Sequence, residues 1–348
     1  MARKTLTLTD WSDLPQELVI SIANRIVLIE DFTAFGAVCK SWRSAATKEI
    51  FNSRLTHHVP FLMFRKEDAV GMLEFYSLTR DKILKFKLPE GGVQISCSCL
   101  GWLFTSRRGL EELNLLHPLN HSQIKLPGFR DSSCQVLRCR EELLPLSDLS
   151  YHQALLGHQI IQSLVSMTHK NWHFANQENI NIGQGRFYAM NNDGIWVCDT
   201  ENPKQAKANV VVPEIPWDLW PVVRNSFMAE SAGDLLLVIF YYKGGDRSNP
   251  RFRVFKVPLR DGYWHSDLEV KDLGNRTLFV GNHSGSITVV TSDYGCKPNC
   301  IYFSFLYADY GIYNMKDGTI QKHFGSRTLA LRESPMSWLP HLWIQPSF

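Results

Sequence analysis

"FGAVCKSWRSAA", residues 35–46, places a tryptophan, a cysteine and two basic residues in a short helical segment. It sits near the start of a chain that otherwise reads as strands and turns. Its surroundings decide whether the opening residues are a cap on a β protein or a small domain with its own purpose.

Outward from that stretch, residues 13–51 carry helix signals. Asp13 followed by Gln16 reads as a capping box, and Pro15 suits a first turn, where its missing N–H costs nothing. Between Leu18 and Ile29 the apolar residues sweep about 200° at 100° per residue, against a little over 100° for a one-sided stripe. The polar side, formed by Glu17, Ser21, Asn24 and Arg25, is narrow, so this helix is expected to need neighbours on two sides. Asp31 is expected to cap a second helix that turns Phe32, Phe35 and Val38 inward. Residues 39–51 read as a third, burying Trp42, Ala45, Ala46 and Ile50. About 40 residues is near the lower limit for folding without disulfides or metals. The surplus apolar surface must be covered by the rest of the chain or by another protein.

Beyond residue 60 the pattern changes to short apolar runs such as "LEFYSL", "GWLFTS", "GIWVCDT", "DLLLVIFYY", "RTLFVGN" and "CIYFSFLY". Between such runs lie the turn pairs Asp193-Gly194, Gly244-Gly245, Asp261-Gly262 and Asp317-Gly318. A faint repeat of about 40 to 50 residues, or twice that, is blade-sized. An all-β body follows, and a β-propeller of six or seven blades is favoured over a β-sandwich, for which the body is long. Residues 130–179 fit the strand pattern least, with "IIQSLVSM" the best strand among them.

Composition narrows the function. The chain has 348 residues, 44% hydrophobic and 20% charged, as in a globular protein. A net charge of +3 gives no footprint for nucleic acid or an acidic membrane. The longest apolar run, "LLLVIFYY", falls far short of the roughly 20 residues of a membrane span. No secretory or organellar leader is read at the start, so the cytoplasm or nucleus is the expected compartment. Eight cysteines make no paired C-x-x-C pattern; "CKPNC", residues 296–300, comes nearest, and reduced, mostly buried thiols are expected.

The opening "WSDLPQELVISIANRI…EDFTAFGAVCKSWRSAA" resembles an F-box, with its elements in order and spacing over about 40 residues. "LV" stands at Leu18-Val19 where relatives usually have two leucines. The resemblance implies that residues 10–51 bind a Skp-type adaptor and through it a cullin-based ubiquitin ligase. Leu14 and Pro15 would dock, Leu18, Ile22, Val38 and Cys39 would line the contact, and Trp42 would anchor it. "GWLF…LLHPLNHSQIKLP", "FRVFKV…LGNRTLFVGN", "CKPNCIYFSF…YGIYNMKDGTI" and "SPMSWLPHLW" look like the plant F-box family with a C-terminal DUF295 domain. That likeness implies a linker over 52–60 and a propeller over 61–345, closed by its N- and C-terminal strands, with no chemistry of its own.

No nucleophile and base, and no convergent carboxylates, stand out, so no catalytic residue, cofactor or metal is expected. "GQGR" at Gly183 and "GNHSGS" at Gly281 resemble phosphate loops, but neither precedes a helix pattern. Most tryptophans read as blade core. The exception is "PWDLWP", residues 216–221, where Trp217 and Trp220 sit in a proline-bounded loop and are the candidate target contacts. The expectation is a non-catalytic substrate-recognition subunit that works by effective concentration, with a target protein but no nucleic acid or membrane as partner. An F-box scaffold outside a ligase and a propeller enzyme with a helical cap are the rivals.

Overall fold

Pro15 sets where the first helix begins. Its φ of −52° and ψ of 140° are extended, so it stands at the N-cap and α1 runs Gln16–Ala23. The N–H groups of Leu18 and Val19 turn back to its carbonyl, 3.0 and 3.2 Å. The expected capping box does not form, because no side chain caps this end. The computed structural model describes residues 11–26, 28–53, 58–64, 71–88, 94–99, 101–107, 112–119, 121–126, 173–177, 186–191, 194–199, 207–213, 223–281, 284, 286–291, 295–305, 310–322 and 342–347.

The long first helix of the sequence reading is in fact two elements. α1 ends after Ala23, where Arg25 and Ile26 donate to the carbonyls of Ile22 and Ala23 and tighten the last turn. Leu28 is extended, and α2 (Ile29–Gly36) starts two residues before Asp31. Ile26, Val27 and Ile29 are β-branched and have weak helix propensity, which favours a break here. The third expected helix also divides. α3 (Lys40–Ala45) stops at Ala46, and Thr47 starts α4 (Lys48–Asn52) by accepting from the Ile50 N–H at 3.3 Å. Four helices, preceded by a 3₁₀ turn at Trp11–Asp13, replace the expected three.

Residues 1–58 with 346–348 form one compact unit and residues 59–345 another. The first has its own small core of Val19, Ala23, Phe32, Phe35, Ala45 and Phe51. Phe32 packs on Phe35 and Phe51, with ring centroids 6.4 and 5.0 Å apart.

The second unit is built of five sheets among the described residues, all antiparallel but for one pair in the fifth. Its first sheet joins β1 (Phe61–Phe64), β2 (Met72–Ser77) and β3 (Lys82–Lys87) to the last strand, β20 (Leu342–Ile344), which pairs antiparallel with β1. The second is the meander β4 (Gln94–Cys99), β5 (Trp102–Arg107), β6 (Glu112–Leu116) and β7 (Gln123–Leu126). The third holds β8 (His173–Gln177), β9 (Arg186–Asn191), β10 (Gly194–Asp199) and β11 (Lys207–Val212). The fourth is β12 (Val223–Ser231), β13 (Asp234–Tyr242) and β14 (Pro250–Lys256). The fifth has the order β16 (Ile287–Val290), β15 (Arg276–Gly281), β17 (Cys300–Ser304), β18 (Tyr310–Asn314), β19 (Ile320–Gln321), with β15 and β17 parallel.

Apolar clusters join the third sheet to the fourth, the fourth to the fifth, and the fifth to the first. Small sheets packed in chain order, with the last strand returned to the first sheet, are a propeller's layout. Six or seven blades were expected. The segments 127–172 and 323–341, which that length-based count included, lie outside the described residues, as does "IIQSLVSM".

Candidate functional site

α1 is apolar on two sides, and only one of them is used inside the unit. Val19 and Ala23, one turn apart, are buried, while Leu18 and Ile22, about 100° round the helix, remain 53% and 36% exposed. Val38, expected inside, lies 56% exposed at the elbow between α2 and α3. That expectation fails because α2 ends at Gly36 and the chain leaves the helical path before Val38 can face the core. Leu14, Cys39 and Trp42 are half-buried and Pro15 is exposed. Both α1 and α2 pack against α3.

Trp42 ties these pieces together. Its ring lies 4.6 Å from that of Phe35 between centroids, and its indole N–H donates to the Trp11 carbonyl at 3.1 Å. The chain entering α1 is thereby fixed to α3. Gln16 Nε2 adds a 3.4 Å bond to Ser44 Oγ, and Arg43 Nε donates to the carbonyl of Gly36 at 3.2 Å, clipping the end of α2. Arg43 thus has a structural task that the sequence left open. Trp11, 64% exposed beside Leu14 and Pro15, is a site residue the sequence reading missed. Its signal was a tryptophan placed before the first helix, where no local core can take it.

Beyond this unit, a few of the described residues are electrostatically perturbed. Burial pushes the Cys296 thiol up to about 11 and raises that of Cys300. Burial therefore holds both in the neutral thiol form at neutral pH. Among the described residues no three His, Cys, Asp or Glu side chains gather to hold a metal, and no helix is long and apolar enough to cross a membrane. Tyr302 and Tyr76 are pushed up chiefly by burial, and the Asp81 carboxylate accepts from Tyr76 Oη at 2.5 Å. Arg253 holds the Glu269 carboxyl down to about 2 through a two-bond pair at 2.8 and 3.0 Å. These groups serve the sheets. Trp217 and Trp220, the expected target contacts, lie outside the described residues.

Comparison with known proteins fits this layout. The F-box domain family model matches residues 11–54, and the KIB1-4 beta-propeller model matches residues 75–323. Among curated proteins, the chain is similar to the putative F-box protein At3g25750 of Arabidopsis thaliana, 26% identical over 85% of this chain and 88% of that one. F-box protein At2g26160 of Arabidopsis thaliana is 26% identical over 84% of this chain and 95% of its own. F-box protein SKIP23, from the same plant, is 25% identical over 80% and 79%.

Proposed function

The chain belongs to the KIB1-4 β-propeller family and carries an F-box domain ahead of the propeller, and from that premise we propose that it is the substrate-recognition subunit of an SCF-type ubiquitin ligase. Residues 10–51 engage a Skp-type adaptor and through it a cullin, and the propeller of 61–345, after a linker over 52–60, holds the target protein. The chain performs no covalent step. It raises the effective concentration of target lysines at the charged conjugating enzyme. The cytoplasm and nucleus are where such a ligase works.

One observation carries the reading. A unit with its own buried core still leaves Leu18, Ile22 and Val38 between 36% and 56% exposed. Burying them fully returns about 1 kcal/mol each, since about half of each side chain is already covered. An adaptor that takes Leu14, Pro15, Cys39 and the open edge of Trp42 as well has a reason to bind here. Full-length protein should capture adaptor and cullin together. Leu14→Ala with Pro15→Ala should lose both while the propeller stays folded by circular dichroism. Capture of adaptor without cullin would instead mark a scaffold acting outside a ligase.

A further inference from the structure

The eight residues "RDKILKFK", 80–87, carry Arg80, Lys82, Lys85 and Lys87 against Asp81 alone, a net charge equal to that of the whole chain. Six of them form β3, the last strand of the first sheet. The Leu88 N–H donates to the Gly71 carbonyl at 2.7 Å, which fixes which β2–β3 pairs are hydrogen-bonded. By antiparallel alternation the bonded pairs are Lys82 with Ser77, Leu84 with Phe75, and Phe86 with Leu73. The N–H and C=O groups of Ile83, Lys85 and Lys87 therefore point away from β2, toward the sheet's outer edge. The side chains of those three residues also share one face and are all exposed. Leu84 and Phe86 turn to the other face, where Phe86 meets Phe75 edge-on at 4.8 Å.

Among the described residues no strand pairs with that edge, and of the three lysines of β3 only Lys85 has an ion pair. Lys85 approaches only Glu74, at 4.0 Å. Elsewhere the sheets balance their cations: Lys256 pairs with Asp234 at 2.7 Å, and Lys271 and Arg253 with Glu269 at 2.5 and 2.8 Å. Lysines along an edge repel a second copy of the same edge. They attract a strand of opposite charge.

We propose that the outer edge of β3 binds an extended acidic segment of the target protein by strand addition. The backbone groups of Ile83, Lys85 and Lys87 supply the ladder, acidic side chains of the segment stand opposite Lys85 and Lys87, and an apolar one covers Ile83. This rests on the reading of the propeller as a target holder but needs no adaptor. It therefore succeeds or fails separately from the capture of adaptor and cullin.

The test uses the full-length chain and a fluorescein-labelled eight-residue peptide with glutamate, glutamate and valine at three successive alternate positions and serine elsewhere, followed by anisotropy at low salt. Binding should weaken about fivefold in the double variant Lys85→Gln, Lys87→Gln, as two lost exposed ion pairs predict. It should weaken again when proline replaces alternate residues of the peptide and removes its ladder N–H groups. A matched peptide with lysine in place of each glutamate should not bind. Because the two lysines are exposed, the variant should keep the parent melting temperature, and Ile83→Pro, whose lost N–H points away from β2, gives a second variant that spares them and should also bind more weakly. No anisotropy change at 100-fold excess of chain over peptide overturns the proposal. Equal binding of the proline peptide, or tighter binding of a single-stranded oligonucleotide, also overturns it.

Discussion

Trp42 packs on the Phe35 ring and donates to the Trp11 carbonyl, and the rest of its ring stays open to water. Trp42→Ala should cost about 3–5 kcal/mol in the assembled complex, measured as lost thermal stability, because the bound partner closes a cavity it cannot fill. In the free chain, where the ring is only half covered, the loss should be smaller. Trp42→Phe should restore the packing but not the bond to Trp11. At this scale the sequence was informative about which residues matter and less so about which way they face. The crowding of apolar residues showed that this helix needs neighbours on two sides, the F-box resemblance alone picked Leu18 and Ile22 as contacts, and both are exposed. Val38 read as both core and contact, since spacing alone does not tell where a helix stops. Trp11 was passed over because an isolated aromatic residue ahead of a helix has no periodicity to place it.

Strand elements were legible where they were greasy. β13 and β17, nearly all buried, announced themselves as unbroken apolar runs. β4, "QISCSC", and β12, "VRNSFMAES", did not, because a strand with one apolar face and polar intervals looks like a loop in a single sequence. Turn glycines were better guides. Gly194 opens β10 at φ +134°, and a Cβ there would lie 2.1 Å from the Val212 carbonyl oxygen. Gly194→Ala should therefore cost about 2–4 kcal/mol by denaturant titration. Gly233→Ala, at φ +82° in open space, should cost only the backbone strain, about 1 kcal/mol.

Beside β14, the Arg253–Glu269 pair makes a pH prediction for the same sheets. Glu269 has a folded value of about 2, below its ordinary 4.5. The unfolded chain therefore takes up this proton first as pH falls. The pair's contribution is present above about pH 4.5 and is lost as pH falls toward 2. Glu269→Gln should flatten that part of the acid-stability curve and leave the neutral region lower but level.

Over the whole molecule, Trp343 is the residue on which several sheets converge. Its indole N–H donates to the Val280 carbonyl at 3.0 Å, its own N–H to Ser284 Oγ at 3.0 Å, and its carbonyl accepts from Ser98 Oγ at 2.7 Å. Its ring meets Phe279 edge-on at 5.1 Å. Trp343→Ala should cost about 4 kcal/mol, near the top of the usual range, and should loosen the first, second and fifth sheets together in hydrogen exchange. The resemblance to a closed propeller foresaw a terminal strand here. Composition and periodicity alone did not, because three residues are too few to carry a pattern.

That β20 completes the sheet begun by β1 also sets an order of events at the ribosome. About 280 residues must be synthesised between Phe64 and Leu342, roughly 15–60 s at ordinary elongation rates. Throughout that interval the nascent chain holds β1 with one flank unzipped, a template for chaperones or for a neighbouring polypeptide. A transcript cut short near its 3′ end would yield a product that never seals, and cellular quality control would see it as unfinished however sound its first sheets were.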